Sequence, residues 1–138
     1  MNLPALKWCR TMRIPFYKFV FLLTAIATGT LRAEGFTCSG TEPFWDLEIG
    51  DGSYRLKESG GNRSVTLRRV TPESAQGMAK DYVLVYRTRS VDEPSEHMTI
   101  VLQKSDDSSC SDGMSEGGHP YYAVVVTQHR VLSGCCSK

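Results

Sequence analysis

The chain has 138 residues, with 16 Lys and Arg against 15 Asp and Glu, a formal net charge of +1. That near-balance averages two unlike pieces: residues 1–33 hold five basic residues (Lys7, Arg10, Arg13, Lys18, Arg32) and no acidic one, while residues 34–138 hold eleven basic and all fifteen acidic residues, net −4. Bulk charge therefore excludes a nucleic-acid partner, because the basic surplus lies in the leader, and about 105 further residues make one domain rather than a large multidomain enzyme.

The leader has the three zones of a secretory signal. Lys18 closes a basic region, Phe19–Leu31 (FVFLLTAIATGTL) is mostly apolar, and Ala33 is a small residue before Glu34. Met12 is an alternative start, since the segment from Met12 makes the more ordinary signal. Leu31 fits poorly at the third position before the cut, which leaves the cleavage site open. A spanning helix needs roughly 20 apolar residues, and Lys18 and Arg32 bracket too few. The expectation is a cleaved signal over residues 1–33, with no stable membrane span afterwards. Gly35-Phe36-Thr37 before Cys38 is not the small-residue run of a lipoprotein signal, and Cys9 has none either. A soluble exported domain over residues 34–138 follows.

Within that domain the strand signals are frequent and no apolar 3.6 period is sustained. Glu42-Pro43 leads, extended, into Phe44–Ile49, where Trp45, Leu47 and Ile49 share one face and Asp46 and Glu48 the other. Asp51-Gly52 marks a hairpin turn, and Ser53–Lys57 follows with Tyr54 and Leu56 on a common face. After a turn at Ser59-Gly60-Gly61-Asn62, Ser64–Val70 points Val65 and Leu67 one way, Thr66 and Arg68 the other. Thr71–Asp81, with Pro72 and Gly77, reads as a loop or at most one helical turn. Tyr82–Thr88 (YVLVYRT) and Tyr121–Thr127 (YYAVVVT) are continuous apolar runs, suited to strands covered on both faces. His97–Lys104 alternates, with Met98, Ile100 and Leu102 inward. Ser105–Pro120 is a long polar loop that a bonded Cys110 would pin, and Arg130–Leu132 ends the series. The predicted fold is all-β: a small antiparallel barrel or sandwich of six to eight short strands with two disulfides.

The disulfides come from the cysteine count. Four remain after cleavage (Cys38, Cys110, Cys135, Cys136), an even number in a small exported chain. A bond between adjacent Cys135 and Cys136 would close a strained eight-membered ring, so Cys38 takes one of the pair and Cys110 the other. Loop-closure entropy gives about 4–5 kcal/mol for the Cys38 bridge and about 3 kcal/mol for the Cys110 bridge. A thiolate metal site from Cys110, Cys135, Cys136 and His119 lacks any C-x-x-C pair and is disfavoured where thiols oxidise. No metal and no cofactor is expected.

Catalytic patterns are thin. Gly113-Met114-Ser115-Glu116-Gly117 matches G-x-S-x-G, but polar loop precedes it and Gly118-His119-Pro120 forbids the helix that a nucleophile elbow needs. His97, His119 and His129 show no ligand spacing, and neighbours such as His97 and Met98 on a strand face opposite ways. Asn62-Arg63-Ser64 has sequon form, which matters only in a eukaryotic secretory pathway. Trp45 either plugs the barrel core or, with Phe44, walls a pocket at its mouth. Glu42 is either a turn acceptor or a binding carboxylate.

The segment Gly40-Thr41-Glu42-Pro43-Phe44-Trp45, followed by Cys110-Ser111-Asp112-Gly113-Met114-Ser115 and Gly134-Cys135, resembles the opening and closing segments of a family of small exported bacterial proteins. The resemblance implies a periplasmic β domain akin to the META domains of envelope heat-shock lipoproteins, with no catalytic residues to carry over. It also implies that Asp112, Gly113, Met114 and Ser115 form a structured loop stapled by Cys110–Cys135, leaving Cys38–Cys136 as the second bridge. A weaker similarity is to periplasmic inhibitors of c-type lysozyme. A mature charge of −4 suits a cationic lysozyme, although the Ser-Gly-x-x-Tyr signature of those inhibitors is not matched by Ser59-Gly60 or by Gly52-Ser53-Tyr54. The expected function is a non-enzymatic periplasmic domain that binds a small ligand or an envelope partner in envelope maintenance or stress, the alternative being lysozyme inhibition. Glu42, Phe44, Trp45, Asp112, Met114 and Ser115 are the candidate binding residues.

Overall fold

Alternating burial along most of the longer strands shows which face points inward. In the computed structural model, which describes residues 35–59, 62–114 and 117–138, nine strands form one antiparallel sheet. The expected signal and its cleavage site lie outside the described residues, as do Gly60, Gly61, Ser115 and Glu116. The strands are β1 (Phe36–Thr41), β2 (Phe44–Ile49), β3 (Tyr54–Glu58), β4 (Arg63–Leu67), β5 (Glu73–Ser74), β6 (Val83–Arg89), β7 (His97–Lys104), β8 (Tyr121–Val126) and β9 (Val131–Ser137). Their order in the sheet is β4-β3-β2-β1-β9-β8-β7-β6-β5, so the first and last strands are neighbours.

The sheet curls into a half-barrel around one apolar interior. Leu47, Leu56, Leu67, Ile100, Leu102, Val125 and Leu132 are fully buried there, each contributing about 1.5–3 kcal/mol of transfer free energy. The two outer edges are drawn together where Leu67 bridges Ser90 and the Arg68 amide donates to the Arg89 carbonyl at 2.9 Å. Pairing then lapses between β4 and β5. There the Tyr54 hydroxyl donates to the Val70 carbonyl (2.5 Å) and accepts from the Val70 amide (3.1 Å), so neither backbone group is left unpaired. Away from this seam, Glu58 and Glu96 are buried polar exceptions: Arg63 pairs with both and Arg130 with Glu58.

The bridges are Cys38–Cys136 and Cys110–Cys135. Successive residues of a strand face opposite sides. Cys136 points into the core toward Cys38, its direct partner across β1 and β9. Cys135 points outward and holds Cys110, in the 105–120 loop, against the outer face.

Three expectations change. The strands number nine rather than six to eight, because β1 and the two-residue β5 carried no clear signal. The inward residues of β1 are Phe36, Cys38 and Gly40, only one of them strongly apolar. Neither continuous apolar run is buried on both faces: on β8, Tyr122 (43% exposed), Val124 (36%) and Val126 (39%) face solvent, and on β6 Val83 and Val85 are half-buried. A single curled sheet has one interior, and among the described residues no second sheet or helical layer covers its outside. Finally, Glu42-Pro43 is the β1–β2 turn, with a cis peptide bond, rather than a lead-in to the first strand.

Tyr86 is 4% exposed and meets Tyr54 edge-on, with ring centroids 5.7 Å apart. Burial, with smaller contributions from Tyr54 and Tyr121, pushes its phenol up to about 12 from 10.0. Between those values the folded chain keeps a proton that the unfolded chain releases, so stability falls as pH rises from about 10 toward 12. Tyr86→Phe should flatten that fall by about 2 kcal/mol between pH 9 and pH 11.5. Urea unfolding at pH 9 and pH 11.5 measures it, and parallel losses in both proteins would refute the assignment.

Candidate functional site

At the end of β1 the indole of Trp45 lies under the backbone of two strands. It is 1% exposed, and its Nε1 donates to the Ser133 carbonyl at 3.2 Å. Gly40, the cross-strand partner of Trp45, and Gly134 on β9 flank the ring. A Cβ at Gly40 would fall within 3.0 Å of the indole nitrogen and the Ser133 carbonyl, and one at Gly134 within 3.0 Å of the ring and the Ser39 carbonyl. The glycines of the opening and closing segments are thus the space the indole needs. Of the two roles read for Trp45, core plug is the larger.

Above this plug lies a recess of about 300 Å³. Phe44, Trp45, Asp112 and Met114, four of the six candidate residues, line it together. Phe44 (54% exposed) and Met114 (71%) are apolar side chains left in solvent at its rim. Glu42 stands exposed in the β1–β2 turn and is not part of the lining. Ser115 lies outside the described residues.

The loop that carries Asp112 and Met114 is built by backbone and side-chain bonds. The His119 amide donates to the Cys110 carbonyl (2.7 Å), and the Ser105 amide to that of Pro120 (2.8 Å). The Asp112 carboxylate accepts from the Met114 amide at 3.0 Å, an Asx turn of the kind that fixes loops. Its other oxygen lies 3.2 Å from His119 Nε2, while His119 Nδ1 meets the Ser137 hydroxyl at 2.9 Å. Asp112 therefore positions the loop as well as bordering the recess. Gly113, at φ +72, takes the left-handed conformation between them.

Sequence reasoning missed Asp46, Ser39, Thr41 and Ser59, which complete the lining with Gly40. Asp46 carried a usable signal: it shares the outward face of β2 with Phe44, two residues away. Ser59 arrives through its amide, which donates to the Phe44 carbonyl at 3.0 Å, a tertiary fact with no local mark. Among the described residues, Asp46 makes no ion pair, so it is the recess carboxylate available to a cation. Among the described residues no group of three or more His, Cys, Asp or Glu side chains could hold a metal ion.

Comparison with known protein families, with curated proteins and with solved structures returned no match to this chain. The kinship suggested by the two end segments rests on those segments alone.

Gly40→Ala and Gly134→Ala should each cost about 2–3 kcal/mol, the range for overpacking against a rigid neighbour. Gly52→Ala, where an added Cβ meets nothing within 4 Å, should stay within about 0.5 kcal/mol. Chemical denaturation of the three variants checks the contrast, and equal losses would mean that the indole does not set the glycines.

Proposed function

We propose that the domain is a non-enzymatic binding module of the bacterial periplasm, and that it receives a cationic, partly apolar group of an envelope partner in the recess beside Phe44. The observation that carries this reading is the pairing of exposed Phe44 and Met114 over a concavity bordered by the Asp46 and Asp112 carboxylates. Side chains of that kind contribute little to the fold where they stand. Aromatic and methionine side chains at a rim are typical anchors for a partner, and a carboxylate in the lining favours a positive group. A pinned loop and a rigid plug would give such a site little to reorganise on binding. The compartment follows from the leader and is supported by two disulfides, which persist where thiols oxidise.

Benzamidine, a small aromatic cation, is a suitable probe. Titrated into the nitrogen-15-labelled domain, it should shift the amides of Gly40, Phe44, Asp46, Ser59 and Met114 in a saturable way. Asp46→Asn and Phe44→Ala should each weaken binding about tenfold, a loss of about 1.4 kcal/mol. Shifts scattered over the surface, or unchanged in both variants, would remove the recess from consideration.

The same recess and the net charge of −4 over residues 34–138 favour, as a second reading, inhibition of a cationic c-type lysozyme. In a turbidity assay with hen egg-white lysozyme, that reading expects protection that fades with added salt and with Asp46→Asn. No protection at a large molar excess would exclude it while leaving the benzamidine result untouched.

A further inference from the structure

A second cleft, of about 520 Å³, opens where β4 runs on toward β5 alongside β6 and β7. Its lining holds four arginines and a histidine: Arg68, Arg69, Arg87, Arg89 and His97. Register brings them together. Arg89 pairs directly with His97 and Arg87 with Thr99 across β6 and β7, while the Arg68 amide bonds the Arg89 carbonyl from the other side. Arg68, Arg89 and His97 are thus neighbours on three adjacent segments, all exposed.

This clustering is unfavourable for folding alone. Like charges directly opposite each other destabilise a sheet, and residues 34–138 carry a net charge of −4, with four of their eleven basic residues on this one cleft. Local acids absorb only part of the charge. Arg87 is paired with Glu73, and Arg69 donates to the Asp51 carbonyl at 2.7 Å. Among the described residues neither Arg68 nor Arg89 makes an ion pair.

We propose that this cleft binds the phosphate group of an organic phosphate monoester. A guanidinium offers a rigid fork that grips two oxygens of one anion. Two unpaired forks on adjacent segments, with an imidazole beside them, exceed what one carboxylate can satisfy. They match a phosphate, with about −1.5 to −2 charge and three acceptor oxygens. Val70 and Thr99 leave part of the wall free of charge, and the volume has room for the organic body. That body can be a soluble metabolite or the glycerol of a lipid headgroup, because the cations read the phosphate alone. The site is separate from the Phe44 recess and does not depend on its occupancy.

The test is a nuclear magnetic resonance titration of the domain with phenyl phosphate, and in parallel with benzoate. Saturable shifts at Arg68, Arg89, His97 and Thr99, with benzoate binding about tenfold weaker, are expected. The double variant Arg68→Gln with Arg89→Gln should lower phenyl phosphate affinity by about tenfold or more. Its thermal midpoint should hold or rise, because removing like charges does not unfold a sheet. A control, Arg55→Gln with Lys57→Gln on β3, should leave the affinity unchanged. Equal affinity for benzoate, no loss in the double variant, or an equal loss in the control would overturn the proposal. Sedimentation with phosphatidic-acid and phosphatidylcholine vesicles identifies the source. Retention by the former alone, lost in the double variant, assigns the phosphate to a lipid headgroup; no retention alongside phenyl phosphate binding assigns it to a soluble monoester.

Discussion

Pleating sends the side chains of Cys135 and Cys136 to opposite faces of β9, and both sides of the molecule are built from that divergence. Inward, Cys136 reaches Cys38 and joins the last strand to the first. The sheet has its first and last strands in the middle of its strand order, and curling encloses the leucines and isoleucines around them. Outward, Cys135 holds Cys110, and with it a polar loop that has no apolar reason to lie on the sheet. That loop brings Asp112 and Met114 over the β1–β2 turn. Without the outward bond, Phe44 would stand on an open surface; with it, Phe44 stands at the edge of a recess.

Most of the sheet was legible in local pattern. His97–Lys104 has the bounds read for it, and Met98, Ile100 and Leu102 are inward as alternation requires. Alternation fails where the inward residues are small. Cys38 and Gly40 hide β1, although Gly40 is inward because it must make room for Trp45. Continuous apolar runs misled in the other direction, since composition reports what a strand could bury and not whether a second layer exists. The candidate site was half legible for a related reason. Phe44, Trp45, Asp112 and Met114 belong to two segments that drew notice together, and they do meet. Asp46 joins them on the outward face of β2, where alternation made it readable, whereas Ser59 joins through a bond to Phe44 from across the β2–β3 hairpin, which leaves no trace in the residues themselves.

The distribution of charge has the same character. A net value of −4 describes neither concavity: carboxylates border the one beside Phe44, and guanidiniums crowd the one beside Arg89. Field lines concentrate in clefts with low-dielectric walls, so a charged molecule approaching the surface responds to the nearer cleft rather than to the sum. Added salt shortens the reach of both fields to about 8–10 Å.

The bond between Cys38 and Cys136 also fixes how the domain responds to force. Tension applied between a point before Cys38 and a point after Cys136 passes through the sulfur atoms and bypasses the sheet. The chain path through the 97 residues between them is bypassed, and among the described residues only the pairings of Phe36 and Thr37 with β2 and of Thr37 with Ser137 lie outside the bond. While that bond stays oxidised, such a pull cannot extend the segment from Cys38 to Cys136, and reduction turns the same pull into one that peels β1 from β9.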